Sequence, residues 1–214
     1  MVRRTIDDLY PSMPWDELDA VVFDVGNVLL SFNPQGILEE LLPDDKALYP
    51  VLTEKIFRSP YWMMMDHGDA TLTEAADAMV GNDARYEKQI RHVMTHWIEM
   101  KHVLDEGLQA LDACKAHGKR VFVLSNYGSD AFEHVYHKYD FFKCFDGIMI
   151  SARVHLLKPD PDIFHLAAET FGLDPERTLF IDDVPANIEG ALHAGWQGFC
   201  HLRQGKLREF MRLP

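Results

Sequence analysis

Asp24 stands near the end of an apolar, β-branched run, Ala20-Val21-Val22-Phe23-Asp24-Val25. Further along, Val123-Leu124 runs into Ser125-Asn126, and Leu179-Phe180-Ile181 runs into Asp182-Asp183. Between them Lys158-Pro159-Asp160 precedes a stretch with helical spacing. These blocks offer carboxylates, a hydroxyl and a cation. A carboxylate attacking a phosphate ester meets anion–anion repulsion, and a hard divalent cation shared by both partners removes much of it. Magnesium takes a few carboxylate and carbonyl oxygens plus water and phosphate, and Asp24 with Asp183 or Asp182 supplies such ligands. Lys158 offsets charge in the transition state, while Ser125 and nearby amides hold the non-bridging oxygens for in-line attack. Asp-Asp at a strand end is by itself more often a turn or a cap, and Lys-Pro-Asp a solvated turn. Their joint order and spacing carry the signal.

The elements that must position these groups follow from the apolar pattern. Residues 20–25 form a continuous apolar run, the mark of a strand buried on both faces. Further strands are expected at 121–124, 147–150, 178–181 and 198–201, separated by helices at 104–117, 129–139, 161–171 and 185–194 and followed by one at 206–211. Alternating strands and helices predict an α/β fold with a doubly wound, Rossmann-like parallel sheet. Ligands of such sheets bind beyond the carboxyl ends of the strands, where the chemical blocks fall. Residues 33–100 show helical spacing around 37–42, 48–57, 73–80 and 86–100, with Thr71-x-x-Glu74 as a capping box. The expected organisation is a core of 1–32 and 101–214 with a helical cap of 33–100. Asp66 and His67 are placed in a glycine-containing turn of that cap. The cluster Tyr61-Trp62-Met63-Met64-Met65 reads as packing, with Trp62 as a possible pocket wall.

Composition narrows the partners. The 214 residues carry a net charge of −13 with 47% apolar residues, enough to build a core. The acidic balance argues against non-specific binding to nucleic acid or to an anionic membrane, but a local cation can still draw in a phosphorylated ligand. No apolar run spans a bilayer, and the aspartates and prolines early in the chain do not suit a secretory signal. Cys114, Cys144 and Cys200 are far apart and odd in number, which fits free thiols in a reducing cytoplasm. The sequence alone assigns no oligomeric state.

The segments FDVGNVLLSF, LSN, KPDPDIF and IDDVPANIEGALHAG resemble the four motifs of the haloacid dehalogenase-like hydrolase superfamily, over about residues 20–202. The opening resembles an FDxGNV branch that includes sugar-phosphate phosphatases of the α-glucose-1-phosphate type. The resemblance implies a magnesium-dependent phosphatase of a small phosphorylated metabolite, most readily a sugar phosphate. Asp24 would form the aspartyl-phosphate. The carbonyl of Gly26 would join Asp24 and Asp183 as magnesium ligands, with Asp182 helping through water. Ser125 and Asn126 would bind the phosphoryl group, and Lys158 would hold nucleophile and phosphate together.

One position departs from that pattern. Most phosphatases of the superfamily carry a second aspartate two residues after the nucleophile as proton donor and base, and here it is Gly26. General acid–base help is worth ~10²–10⁴-fold. A leaving group of low basicity, such as the hemiacetal oxygen of a sugar 1-phosphate, is the explanation this sequence favours. A cap residue, Asp66 or His67, is the second, and an inactive site the third. Three rival functions remain: a metal-independent 2-haloacid dehalogenase, which would have no use for Asp182-Asp183, a non-catalytic module binding a phosphorylated ligand, and, more weakly, a phosphoryl-transferring mutase, whose controlled proton transfer Gly26 makes hard to provide.

Overall fold

The central strands are buried along most of their length and the edge strand at 147–150 along its second half, because the sheet is covered on both sides. A computed structural model of the chain describes residues 4–81 and 84–213. The strands are β1 (Ala20–Phe23), β2 (Arg120–Ser125), β3 (Gly147–Ile150), β4 (Thr178–Asp182) and β5 (Gln197–Cys200). They form one parallel sheet in the order β3-β2-β1-β4-β5. The expected α/β doubly wound fold is therefore present, with strand boundaries within a residue or two of those read from the sequence.

Period-two alternation divides the core. Val21, Phe23, Val121, Val123, Leu179 and Ile181 face one apolar cluster. Ala20, Val22, Phe122, Leu124 and Phe180 face the other, which also contains Ile163, Phe164 and Ile188 from the helices Pro161–Phe171 and Pro185–His193. Both faces must be apolar when helices cover both, which is why β1 reads as a continuous run rather than an alternation. The segment before β1 packs on the core edge. Ile6 is buried, Trp15 stacks on His117, and Asp19 pairs with Arg177 at 2.7 Å.

Between β1 and β2 the described residues contain helices and no strand. The longer ones are Pro34–Leu41, Tyr49–Lys55, Pro60–His67, Leu72–Val80 and Glu87–His96, followed by Asp105–Ala116, which leads into β2. The capping box of Thr71 and Glu74 is formed. Helix Pro60–His67 differs from the sequence expectation, which left Asp66 and His67 in a turn. The Ser59 hydroxyl accepts from the Trp62 N–H, Pro60 occupies the first turn, and Gly68 closes the helix at φ 92°. These are ordinary start and stop signals, but the apolar cluster between them hides the helical period. Its faces separate in space: Trp62 and Met65 are buried, Met63 and Met64 exposed.

Close backbone approach fixes the loops at the sheet edge. A Cβ on Gly190 would lie 2.3 Å from the Pro159 carbonyl oxygen, so helix Pro185–His193 rests directly on the loop that carries Lys158. Gly190→Ala is expected to cost ~1–3 kcal/mol, as overpacking does, and to lower activity as well by moving Lys158. Thermal denaturation beside a rate measurement checks both effects.

Candidate active site

Parallel pairing puts the ends of β1, β2 and β4 on one edge, with Phe23 in register with Val123 and Ile181. Asp24 follows β1, Ser125 ends β2 and Asp182 ends β4. Ser125 Oγ donates to Asp24 Oδ1 at 2.7 Å, and Lys158 Nζ donates to the same oxygen at 2.8 Å. Neither of these bonds takes Oδ2. Lys158 Nζ also donates to Asp182 Oδ2 at 2.7 Å and to the Leu124 carbonyl at 3.1 Å. Burial works against this ammonium, but Asp182 and Asp24 outweigh it and hold its pKa above the ordinary lysine value.

Asp182 is completely buried. Its carboxylate accepts from Lys158, from the Val184 N–H at 2.7 Å, and from Asn187 Nδ2 at 3.0 and 3.2 Å. Its oxygens are thus largely committed to protein donors. Asn126 is also committed: its side chain donates to the Lys158 carbonyl and accepts from the Lys158 N–H, each at 2.9 Å. This reciprocal pair fixes the lysine loop and leaves the other amide hydrogen and the main-chain N–H of Asn126 for a ligand.

Asp183 is the more open of the acidic pair. Asn27 Nδ2 donates to its Oδ2 at 2.9 Å, while Asn27 Oδ1 accepts from the Phe32 N–H at 2.8 Å. Asn27 holds a left-handed φ of 53°, a conformation sparsely used by non-glycine residues and tolerated best by asparagine. One carboxylate oxygen from each of Asp24, Asp182 and Asp183 lies within 4.8 Å of the others. Burial, with the Asp24 charge adding to it, raises the Asp183 pKa despite the bond from Asn27. Crowded hard oxygens of like charge are what a small divalent cation satisfies, so this donor set fits magnesium.

These groups line a cavity of about 210 Å³ together with Gly26 and Asn187. The rest of its wall is aromatic and comes partly from the helices between β1 and β2: Phe32, Trp62, Trp97 and Tyr127, with Asp66 and Lys101 among them. Burial pushes the Asp66 carboxyl up to about 7, against the lowering pull of hydrogen bonds from the Trp62 side chain and the Gly128 N–H and of the Lys101 charge. The Asp66 backbone is also anchored, since Ser151 Oγ donates to its carbonyl at 2.5 Å. A Cβ on Gly68 would lie 2.3 Å from the Ala152 carbonyl, so the end of helix Pro60–His67 is seated against the core. His67 is elsewhere, paired with Asp69 at 2.9 Å and outside the cavity lining.

Of the candidates read from the sequence, Asp24, Gly26, Asp66, Ser125, Asn126, Lys158 and Asp183 line this cavity, while Asp182 and His67 do not. Asp182 lies behind it. Sequence reading passed over Asn27, Trp97, Lys101 and Tyr127. Asn27 and Tyr127 each directly follow a motif residue, and Trp97 and Lys101 are four apart, which was the available signal.

The profile of the haloacid dehalogenase-like hydrolase family matches residues 18–195. The chain belongs to that family. A phosphorylated carbohydrates phosphatase of Thermotoga maritima is 24% identical to this hydrolase over 196 residues, 88% of this chain and 89% of that protein. A drimenol cyclase of Aspergillus calidoustus is 24% identical over 82% of this chain, which spans about a third (32%) of that protein's length. Among solved structures, a haloacid dehalogenase family enzyme of Bacteroides thetaiotaomicron in complex with magnesium and inorganic phosphate aligns with TM-score 0.68 at 22% identity, covering 86% of this chain and 93% of that one. An L-2-haloacid dehalogenase of Xanthobacter autotrophicus aligns with TM-score 0.64 at 18% identity, covering 88% and 79%. At these identities the structural likenesses establish the fold of the hydrolase, and phosphate and halide chemistry both occur among its neighbours. Among the described residues no helix is long and apolar enough to cross a membrane.

Proposed function

We propose that this hydrolase is a magnesium-dependent phosphatase of a small phosphomonoester, with sugar phosphates as the first class to try. The observation that carries the reading is the open carboxylate of Asp183, held by Asn27 beside Asp24. Halide displacement by an aspartate needs no cation beside the nucleophile, whereas a phosphatase uses a second carboxylate to hold one. Asp24 and Asp183, with the carbonyl of Gly26, would hold the ion. Asp182 would act on it through water and otherwise keeps Lys158 in place. Once bound, magnesium would offset the negative charge where the Asp24 carboxylate meets the phosphoryl oxygens.

In the first step a carboxylate oxygen of Asp24 attacks phosphorus, the ester oxygen departs with the bonding pair, and an aspartyl-phosphate remains. Ser125 and Lys158 orient Asp24 through Oδ1, and Lys158 offsets charge on the transferred group. Asp66 supplies the proton that the departing oxygen takes up, in place of the residue missing at position 26. A carboxyl held near 7 is protonated often enough to donate and basic enough to take a proton back. In the second step water attacks phosphorus, gives its proton to Asp66, and frees Asp24 and inorganic phosphate. The helices within residues 33–100 act as the cap that closes the cavity and excludes bulk water.

Release of inorganic phosphate from sugar phosphates, glycerol 3-phosphate and 4-nitrophenyl phosphate, measured with magnesium and with EDTA, tests the reading. Phosphate release that requires magnesium is the expected result. Chloride release from 2-chloropropionate that survives EDTA, without phosphate release, would overturn it in favour of a dehalogenase.

A further inference from the structure

Lys101 is 3% exposed. Its ammonium lies 4.6 Å from the ring centroid of Phe32, 5.1 Å from that of Trp97 and 5.5 Å from that of Tyr127. Its protein acceptor is the Ser31 carbonyl at 3.3 Å, and among the described residues it forms no ion pair. Asp24 and Asp66 act on it only through space, and burial lowers its pKa to about 8. A buried ammonium without a counter-ion is costly. Aromatic faces recover part of that cost but leave N–H donors unused.

Two neighbours share the deficit. Trp97 Nε1 and the Tyr127 hydroxyl are buried and have no hydrogen-bond partner among the described residues. Buried donors of this kind are rare and call for a partner. All three residues line the cavity that holds Asp24. The phosphoryl end of a substrate is already served by Ser125, Lys158 and the cation that the acidic pair would hold. Lys101, Trp97 and Tyr127 therefore border the alcohol half of the substrate. An ammonium, an indole N–H and a phenol match a planar anion with about four acceptor sites, which describes a carboxylate. The cavity of about 210 Å³ has room for a phosphoryl group and a short carbon chain.

We propose that Lys101, Trp97 and Tyr127 form a carboxylate subsite, and that the substrate is the phosphate ester of a short hydroxy acid. This rests on the phosphatase reading above and deepens it.

A matched pair of ligands tests the subsite: 3-phosphoglycerate, which carries the carboxylate, and glycerol 3-phosphate, which has a hydroxymethyl group there. Calorimetric titration of the Asp24→Asn protein in magnesium buffer measures binding without turnover, so the result stands apart from whether the wild type hydrolyses any phosphomonoester. The expected outcome is 3-phosphoglycerate binding roughly 10- to 100-fold more tightly, the range of a hydrogen bond to a charged group. That ratio should fall to near one when Lys101→Met is added, and to fall partway with Tyr127→Phe, a milder change that keeps the ring. Equal affinities for the two ligands, no binding of either, or a Lys101→Met loss of the same size for both would overturn the proposal. The last result would place Lys101 on the phosphoryl group instead.

Discussion

Asp24→Asn is expected to reduce phosphate release by roughly 10⁴-fold or more, the scale on which deleting a nucleophile acts, while the protein keeps its fold. The amide is nearly isosteric with the carboxylate, and Ser125 still has an oxygen to donate to. It lacks the negative charge that attacks phosphorus and pairs with Lys158 at 2.8 Å. Lys158 keeps Asp182 at 2.7 Å as its remaining carboxylate partner, so the core should tolerate the change. Steady-state kinetics beside a thermal melt separates chemistry from folding. Wild-type protein quenched during turnover should carry phosphate in an acid-stable, base-labile linkage, and the variant should carry none. Unchanged turnover in Asp24→Asn would remove Asp24 from the mechanism and leave the fold as the surviving conclusion.

The second large effect is expected at Asp66, and it depends on the substrate. Asp66→Asn should slow the hydrolysis of alkyl phosphates by ~10²–10⁴-fold, the usual worth of general acid–base help. It should slow 4-nitrophenyl phosphate much less, because a nitrophenolate leaves without a proton. A merely structural role for Asp66 would slow both alike, and a reaction in which the leaving group alone compensates for Gly26 would leave both rates unchanged. Below saturation, the alkyl phosphate rate of the wild type should fall as pH rises through about 7, where Asp66 loses its proton, and the variant should lack that limb. Besides burial, the groups that bear on this titration are the Trp62 side chain, the Gly128 N–H, Lys101 and Asp24. Lys101 lowers the Asp66 pKa and Asp24 raises it.

Stability should move in the opposite sense at this position. The folded pKa lies above the unfolded value of 3.8, at about 7, so the folded state binds the proton more tightly. Its contribution to stability is therefore present below the unfolded pKa and is lost as pH rises towards the folded one. Asp66→Asn, which cannot ionise, should melt higher than wild type at pH 8 and show little difference at pH 4. Position 26 offers a further check. A Cβ there would meet only Asp24 Oδ2, at 3.7 Å, so Gly26→Asp fits locally and should restore part of the alkyl phosphate activity lost in Asp66→Asn.

The two halves of the cavity differ in origin. The phosphoryl half is built at the ends of β1, β2 and β4, where pairing fixes positions firmly. The other half is built from Tyr127, after β2, and from side chains of the helical segment seated on the core by Gly68 and Gly128, each of which approaches its neighbour too closely for a Cβ. Chemistry common to the family is thus set in the rigid sheet. Selection of the alcohol falls to a wall that can vary without disturbing it.

Much of this was legible from residue order. A strand buried on both faces must be apolar throughout, so β1 and β4 were visible as runs, and the polar residue that ends each run had to lie at the ligand edge of a parallel sheet. That rule puts Asp24, Ser125, Asp182 and Asp183 at the edge, and their joint order with Lys158, rather than any one of them, marks the site. Roles within the set did not follow. Adjacent carboxylates look alike in sequence, and only the sheet geometry turned Asp182 inward onto Lys158 and Asn187 while leaving Asp183 beside Asp24. The place of Asp66 in the cavity and the unpaired donors of Lys101, Trp97 and Tyr127 were likewise decided by tertiary structure. Their meaning depends on what burial withholds from them, and a residue's environment is a property of packing between segments distant in the chain.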